Sequence, residues 1–347
     1  MARIAVVTSS PPNVEGGHLV IARSLVQALN DHGYHASLVI TPSHPFGSQA
    51  REYWDTWRTN VRTINGEAVD HVITTRYPSY AVRHRSHVCW LNHTMREYYD
   101  LWEQFSASLS PQGRLKEGVR RQLIHAADSH LFFWHVKQMY AQSQTIQARL
   151  KRWNRTASTV LYPPAPPRAY RCDGYEPFLF VVSRLAPLKR IELVLNALAT
   201  PAAQGVRCVI AGEGEALASL TALAAQLKLG DRVAFVGRIS DEQLVDYLAR
   251  CRAVAFVPLQ EDYGFVTAEA FSSAKPVITT SDSGGPAELV ADGVSGRLVQ
   301  PTAAALGEAI AQVMSDAALA ERMGQSALTT AATMRWADVA ATLGRPL

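Results

Sequence analysis

Long apolar runs, paired cysteines and a large excess of charge are all missing from this sequence of 347 residues. No run approaches the eighteen or so apolar residues that a membrane-spanning helix needs, and the first eight residues are typical of a strand rather than of a signal peptide. The four cysteines are far apart and form no close pair of the zinc-binding or redox kind: Cys89, Cys172, Cys208 and Cys251. We therefore expect buried free thiols in a cytoplasmic protein, with or without peripheral attachment to the cytoplasmic face of the membrane.

The charge is unevenly distributed, although the net charge is only +4. Residues 1–165 carry 18 Lys and Arg against 11 Asp and Glu, a net +7, and the remainder carries 16 against 19, a net −3. All 11 histidines and six of the seven tryptophans also lie in the first part. The asymmetry favours an anionic partner or membrane surface for the first part, and a solvated basic face explains it equally well.

The order of the elements predicts an α/β protein. Short β-branched runs alternate with helical segments, the pattern of parallel sheets covered by helices. The segment 162–167, Tyr-Pro-Pro-Ala-Pro-Pro, cannot be helix or central strand and is the linker candidate. We expect two doubly wound Rossmann-like domains, 1–165 and 166–330, with a ligand cleft between them. A last helix within 331–347, anchored by Trp336, should return to the first domain.

The stretch from residue 114 to residue 152 contains several helical patterns. Leu115, Val119 and Leu123 recur at helical spacing and form either a face that inserts into a membrane or one that faces the core. We expect them to pack on the core. The basic residues Arg114, Lys116, Arg120 and Arg121 should form the outer face of that helix. We predict a strand over 130–134 and a further helix over 135–152.

The motif Glu261-Asp-Tyr-Gly-Phe-Val-Thr-Ala-Glu269 is the most specific cluster. It follows a strand over 253–257 and opens a helix near Gly264, so Glu261 lies in the loop and Glu269 in the second helical turn. The first-turn amides, those of Phe265, Val266 and Thr267, favour a phosphate. In that setting Glu261 suits a hexose and Glu269 a ribose. Alternatively, Glu261 and Asp262 merely cap the helix.

Two further segments follow strands. In Ser183-Arg-Leu-Ala-Pro-Leu-Lys189, the cations Arg184 and Lys189 could neutralise a diphosphate. Gly16 and Gly17, after the first strand, could let a ligand approach the backbone, although a simple turn explains them too.

These segments together resemble family 4 of the retaining glycosyltransferases, which have the GT-B fold and, as their hallmark, two glutamates separated by seven residues. Three more segments match in the same order: Ala211-Gly-Glu-Gly214, Phe235-Val-Gly-Arg238 and Ser283-Gly-Gly-Pro-Ala-Glu288. The matches run from residue 4 to about residue 300, and they are more characteristic in the second half.

The resemblance implies a role for each matched residue. Glu269 should bind the ribose of a nucleotide sugar, Glu261 the donor sugar, and Arg184 and Lys189 the diphosphate. A base pocket is implied at Gly237, Arg238 and Ile239, and phosphate-binding amides are implied after Gly264. In the first domain, Gly16 and Gly17 should let the domain close over the phosphates, and His93 should lie near the transferred sugar. Its neighbours His84 and His87 should be exposed.

The resemblance also implies retaining transfer of a hexose from a UDP- or GDP-sugar to a sugar or lipid-linked hydroxyl acceptor, in bacterial glycan, polysaccharide or glycolipid biosynthesis. No Asp-x-Asp motif is present, so we expect no metal cofactor, and no nucleic acid partner is indicated. An epimerase of related fold and a non-catalytic nucleotide-sugar-binding protein stay open as alternatives. A dehydrogenase would need a Gly-x-Gly-x-x-Gly fingerprint after a strand, which is missing.

Overall fold

The computed structural model describes residues 2–11 and 16–347, which form two α/β units. The first unit contains Met1–Pro163 and Arg335–Leu347, and the second contains Pro164–Met334. The division therefore falls inside the proline-rich segment 162–167, two residues before the boundary that the sequence predicts.

The first unit is built on a six-stranded parallel sheet with a small separate hairpin. The strands are β1 (Arg3–Ser9), β2 (His35–Thr41), the hairpin β3 (Thr63–Ile64) and β4 (Glu67–Ala68), β5 (His71–Thr74), β6 (His87–Leu91), β7 (Gln138–Ala141) and β8 (Thr159–Val160). The order of the six-stranded sheet is β2-β1-β5-β6-β7-β8, so the direction of winding reverses between β1 and β5. The helices are α1 (Gly17–Asp31), α2 (Gln49–Arg58), α3 (Trp102–Ala107), α4 (Pro111–Trp134) and α5 (Gln144–Arg149).

The predicted strand over 130–134 is wrong, because these residues form the last turn of α4. Ser110 caps this 24-residue helix by accepting a hydrogen bond from the Gly113 amide at 3.2 Å. At its carboxyl end Phe132 is buried while Phe133 and Trp134 are exposed, which suits one face of a helix rather than a buried strand. The strand comes later, as β7, so the helix predicted over 135–152 is also wrong at its start.

The expectation that Leu115, Val119 and Leu123 pack on the core is wrong as well, since they are 74%, 57% and 66% exposed. The buried face of α4 carries Asp128 instead, whose carboxylate accepts hydrogen bonds from three tyrosine hydroxyls. These tyrosines come from three other segments: Tyr53, Tyr80 and Tyr99. A buried carboxylate is tolerated where such donors satisfy it.

Three of the four basic residues predicted for the outer face of α4 turn back to the protein. Arg120 pairs with Glu117 at 2.7 Å, Arg121 donates to the Tyr98 carbonyl at 2.8 Å, and Arg114 donates to the Ser106 carbonyl at 3.2 Å.

The second unit repeats the architecture with a six-stranded parallel sheet in the order β11-β10-β9-β12-β13-β14. The strands are β9 (Glu176–Val182), β10 (Arg207–Ala211), β11 (Val233–Gly237), β12 (Cys251–Ala255), β13 (Val277–Thr280) and β14 (Gly296–Val299). The helices are α6 (Ile191–Leu198), α7 (Leu217–Gln226), α8 (Asp241–Arg250), α9 (Phe265–Ser272), α10 (Gly285–Leu289), α11 (Ala303–Ser315) and α12 (Ala317–Ala332). The winding reverses between β9 and β12, which opens a crevice outside their carboxyl ends.

The last helix, α13 (Trp336–Leu343), packs against α1 and so completes the first unit. The His71 ring, at the start of β5, bonds through Nε2 to the Leu343 carbonyl at 2.9 Å. Trp336, which we expected to anchor the returning helix, lies edge to face with Trp90 at 6.2 Å between ring centroids.

The four cysteines are free, and three of them are buried as expected. Cys172 is exposed, because it lies in the irregular segment before β9. In the ranges 2–11 and 16–347, every helix is too short or too polar to cross a membrane.

Candidate functional site

Two loops meet outside the carboxyl ends of β9 and β12, where the winding of the second sheet reverses. The Leu259 amide donates to the Leu188 carbonyl at 2.8 Å and joins the loops through their backbones. Beside this contact the Lys189 ammonium lies 2.6 Å from the Glu261 carboxylate. Both side chains are partly exposed, so a ligand entering the crevice can reach the pair.

Arg190 holds these loops in place, although it was not among the predicted site residues. Its guanidinium makes a bidentate pair with Asp282, with both N–O distances 2.7 Å. It also donates to the Val257 and Pro258 carbonyls at 2.8 and 3.0 Å and to the Thr280 hydroxyl at 2.8 Å. The backbone of Arg190 is left-handed, with φ 51°, which costs about 1–2 kcal/mol that these bonds offset. The adjacent Lys189 was the only signal in the sequence that could have pointed to it.

The turn Ser283-Gly284-Gly285 shapes the Glu261 loop. The Glu261 amide donates to the Ser283 carbonyl, and the Gly285 amide donates to the Glu261 carbonyl, both at 2.9 Å. Gly284 has φ +72°, and a Cβ on it would lie 2.4 Å from the Glu261 carbonyl oxygen. The glycines of this segment therefore let two backbones touch directly behind the candidate sugar-binding acid.

Helix α9 begins at Phe265, directly after Gly264. Gly264 has φ +77°, and a Cβ on it would lie 2.6 Å from the Phe256 ring. The Thr267 amide donates to the Gly264 carbonyl at 3.2 Å, so the expectation that it is an open donor is wrong. Phe265 and Val266, the first two residues of the helix, are half-buried.

Glu269 is buried on α9 and pairs with Arg168, a residue of the segment before β9. The Tyr170 hydroxyl lies 3.4 Å from the same carboxylate oxygen, Oε1. Burial raises the pKa of Glu269, and the Arg168 cation opposes that rise. Arg168 also pairs with Asp241, the first residue of α8, at 3.0 Å. Asp241 follows the predicted base pocket at 237–239 by two residues, so Arg168 links Glu269 to the start of the helix that comes after that segment.

Arg184 stands apart from the Lys189–Glu261 pair. Its side chain is 73% exposed and faces Glu215 at 4.0 Å. The loop that carries it rests on the Ala211-Gly-Glu-Gly214 turn, where a Cβ on Gly212 would lie 1.8 Å from the Ser183 carbonyl oxygen. The Gly212 amide in turn donates to the Gly237 carbonyl at 2.8 Å, at the start of the predicted base pocket, where Arg238 is exposed and Ile239 half-buried.

In the first unit, Gly16 and Gly17 lie at the start of α1, where the winding of the sheet reverses beside β1. Gly16 caps the helix with extended backbone, φ −162°, a conformation that any residue can adopt. Residues 12–15 of the same turn lie outside the described residues.

His93 follows β6 and is half-buried, with Nδ1 2.7 Å from the Thr94 carbonyl oxygen. The expectation that His84 and His87 are exposed is wrong. His87 lies inside β6 and bonds to the Thr74 hydroxyl at 3.0 Å, and burial lowers its pKa to about 3. His84 is half-buried and bonds to the Val69 carbonyl at 3.0 Å.

Among the described parts of the chain, no group of three His, Cys, Asp or Glu side chains is placed to hold a metal ion.

Comparison with known proteins identifies the fold. Residues 167–330 match the family model described as glycosyl transferases group 1. The D-inositol 3-phosphate glycosyltransferase of Mycolicibacterium smegmatis is 41% identical over 123 residues, which cover 34% of this chain and 28% of that protein. The chain thus matches less than a third of the length of that relative.

Two solved structures match almost the whole chain. Sucrose-phosphate synthase from Thermosynechococcus elongatus has a TM-score of 0.78 at 19% identity, with 99% of this chain and 98% of that chain covered. Anabaena HepE in complex with UDP-glucose has a TM-score of 0.70 at 18% identity, with 98% of both chains covered. The chain has the GT-B fold, with two Rossmann-like α/β units.

Proposed function

We propose that this protein is a retaining glycosyltransferase that moves a hexose-type sugar from a nucleotide-diphosphate sugar to a hydroxyl acceptor in bacterial glycan, polysaccharide or glycolipid biosynthesis. The observation that carries the proposal is the Lys189–Glu261 pair beside the amino end of α9, at the point where the second sheet reverses its winding. The match of residues 167–330 to the glycosyltransferase model supports the class of reaction. The similar Anabaena structure, a complex with UDP-glucose, supports a nucleoside diphosphate sugar as the donor.

In this proposal Glu269 binds the ribose. Arg168 and Tyr170 both contact Oε1, which leaves Oε2 for the two ribose hydroxyls. The segment Gly237-Arg238-Ile239 takes the base, because Arg168 links the neighbouring Asp241 to Glu269. In this proposal the nucleotide of the donor is UDP or GDP.

The diphosphate lies between Lys189, the exposed Arg184 and the amides of Phe265 and Val266. When the sugar–phosphate bond breaks, negative charge grows on the leaving diphosphate, and fixed cations and helix amides stabilise that charge more in the transition state than in the ground state. When the donor binds, Lys189 exchanges its contact with Glu261 for a contact with a phosphate oxygen. Glu261 is then able to accept a hydrogen bond from a hydroxyl of the donor sugar. These cations supply the positive charge without a metal ion.

The acceptor hydroxyl approaches on the face that the diphosphate leaves, and a phosphate oxygen takes its proton. This path retains the anomeric configuration and needs no protein base. The acceptor is a sugar or a lipid-linked sugar. His93, Gly16 and Gly17 stay predictions for the first unit.

A thermal-shift panel of UDP, GDP, ADP and dTDP, each alone and as its glucose or mannose conjugate, tests the donor site. Glu269→Gln removes the charge that accepts the ribose hydroxyls, while Glu308→Gln alters an exposed acid on α11 as a matched control. We expect one base to raise the melting temperature of the parent protein and of Glu308→Gln, and to have little effect on Glu269→Gln. Losing two charge-assisted hydrogen bonds should cost roughly 2–4 kcal/mol of donor affinity.

A parent protein that no nucleotide stabilises would contradict the donor site, as would a Glu269→Gln variant that matches the parent. Product analysis then separates transfer from the alternatives. Conversion of the donor sugar without any acceptor would indicate an epimerase, and binding without turnover would indicate a non-catalytic protein.

A further inference from the structure

The outward face of α4 is apolar along most of its length. Besides Leu115, Val119 and Leu123, it carries Phe133 and Trp134, which are 75% and 63% exposed. Phe133 follows Leu115 by eighteen residues, which is five full helical turns, so the two lie on the same side of the helix. The exposed side chains therefore form one stripe rather than scattered single residues.

A second helix extends this stripe into a groove. Trp54, on α2, is 54% exposed and stacks on Trp57 with 5.1 Å between ring centroids. The groove between α2 and α4 has a volume of about 720 Å³, and its lining includes both indoles together with Val119 and Leu123. Of the twelve large apolar side chains exposed within 2–11 and 16–347, six lie on these two helices.

The outward face of α4 carries no negative charge. The helix has two acids, and both point inward: Asp128 is fully buried among tyrosines, and Glu117 bonds to the Tyr98 hydroxyl at 2.7 Å and to Arg120. Lys116 lines the groove and contributes a positive charge. A surface of this kind attracts anions without repelling them elsewhere along the stripe.

A basic pocket of about 540 Å³ lies at the carboxyl end of α4. Its lining includes four permanent cations and no acid: Arg62, Arg83, Arg85 and Lys137. Trp134, the end of the apolar stripe, forms one wall of the pocket. The guanidinium of Arg83 lies 3.7 Å from the centre of the Trp57 ring, so the pocket also adjoins the groove. Apolar stripe, groove and basic pocket are thus one continuous surface, which we call the α4 face.

We infer that the α4 face docks on an anionic lipid bilayer, with α4 lying in the plane of the interface. Leucine, valine and phenylalanine side chains enter the headgroup–acyl boundary, and the indoles of Trp54 and Trp134 sit at headgroup depth. Lipid phosphates occupy the basic pocket. Charge complementarity favours this occupant, because a stripe of apolar side chains bordered by cations and free of carboxylates matches an anionic interface.

Vesicle sedimentation with the full chain tests the inference without any nucleotide, so its outcome does not depend on sugar transfer. Phosphatidylcholine vesicles with and without phosphatidylglycerol are compared at about 0.1 M and about 1 M salt, where the Debye length falls from about 10 Å to about 3 Å. We expect binding to the anionic vesicles at low salt, weaker binding at high salt, and little binding to phosphatidylcholine alone.

Paired variants assign the binding to the α4 face. Leu115→Gln with Leu123→Gln shortens the stripe, and Val294→Gln with Leu328→Gln removes two exposed apolar side chains of the second unit as its control. Arg85→Glu with Lys137→Glu reverses two charges of the pocket, and Arg207→Glu with Arg322→Glu does so at exposed sites of the second unit. Each basic residue near an anionic surface contributes about fivefold in partitioning, so we expect the Arg85–Lys137 variant to lose about 25-fold or more.

All eight residues are exposed, so the variants should keep the parent melting temperature. Equal binding by the α4-face variants and their controls would overturn the inference, and so would negligible binding of the parent to either vesicle. A concentration-dependent dimer in light scattering that Leu115→Gln with Leu123→Gln abolishes, without vesicle binding by the parent, would also overturn it and assign the face to a second copy of the chain.

Discussion

Arg168 donates a hydrogen bond to the carboxylate of Glu269, which lies 101 residues later in the chain. The arginine comes from an irregular segment and the glutamate from a buried helix face, so only the tertiary fold brings them together. Burial raises the pKa of Glu269, and the neighbouring cation lowers it. The arginine therefore opposes the uptake of a proton that burial favours.

Arg168→Met should weaken nucleotide-sugar binding. Without the cation the pKa of Glu269 rises further, so affinity should fall as the pH is lowered, and the fall should begin at a higher pH than in the parent. We expect a loss of roughly tenfold at neutral pH, from about 1.5–3 kcal/mol for a charged hydrogen bond, measured by calorimetry across the pH range. Arg171→Met removes a more exposed arginine paired with Asp173 and is the control. Equal losses of nucleotide-sugar affinity in the two variants would show that Arg168 has no specific role in donor binding.

Gly284→Ala should destabilise the protein by far more than Gly293→Ala. Both glycines have nearly the same positive φ, +72° and +73°, so an alanine is strained at either position. A Cβ on Gly284 would strike the Glu261 backbone, whereas one on Gly293 meets nothing within 4 Å. We expect the difference in free energy of unfolding to be about 2 kcal/mol or more, with a further loss of donor affinity because the Glu261 loop must move. Equal unfolding midpoints in urea would show that the loop yields freely.

Chelation should leave the activity intact. Lys189 and Arg184 provide positive charge beside the proposed diphosphate site, so EDTA should not abolish transfer. The comparison is the initial rate with EDTA, after dialysis, and after addition of magnesium or manganese. Complete loss that either ion restores would show that a metal carries the charge.

The pH dependence of unfolding should report on Asp128. Burial raises its pKa to about 6 even though three tyrosine hydroxyls donate to it, against about 3.9 in an unfolded chain. The native state therefore holds this proton more tightly, and the resulting stabilisation is present below about pH 4 and lost as the pH rises through 6. Melting curves should show the parent losing stability relative to Asp128→Asn over that window and no change above it.

Two features sharpen this test. Burial lowers the pKa of His87 to about 3, which acts in the opposite direction over the same range, so the difference between parent and variant is the quantity to follow. Asp31→Asn changes an exposed acid of the first unit and is the control for the substitution itself. A pH-independent difference for Asp128→Asn would mean that the carboxylate keeps its charge throughout.

The two doubly wound α/β domains could be predicted from the sequence, because parallel strands buried on both faces are continuous apolar runs that reveal themselves locally. The GT-B fold itself was implied by the resemblance of the motifs to a glycosyltransferase family. The carboxyl ends of such strands share one edge, which is why Lys189 and Glu261 could be assigned to one crevice before the structure placed them 2.6 Å apart. The glycine segments could also be recognised in the sequence. Why glycine is needed there, namely that two backbones touch directly behind Glu261, could be seen only in the structure.

The wrong predictions and the overlooked residues have a common physical origin. Helical spacing shows that Leu115, Val119 and Leu123 share a face, and says nothing about what covers that face. The opposite face is buried around Asp128, whose partners are tyrosines from distant segments. The polarity of the side chains therefore predicted the wrong face of the helix to be buried. Arg168 and Arg190 were overlooked for a similar reason, since their acids are 101 and 92 residues away in the chain.

The return of α13 to the first unit also sets an order of events during synthesis. A ribosome releases β5 with its His71 long before it releases Leu343, which lies 272 residues later and supplies the bond to that ring. The whole of Pro164–Met334 emerges in between and can fold first. Until then the Trp90 side of the first sheet lacks its Trp336 cover, so an apolar surface that the folded chain hides stays open to solvent.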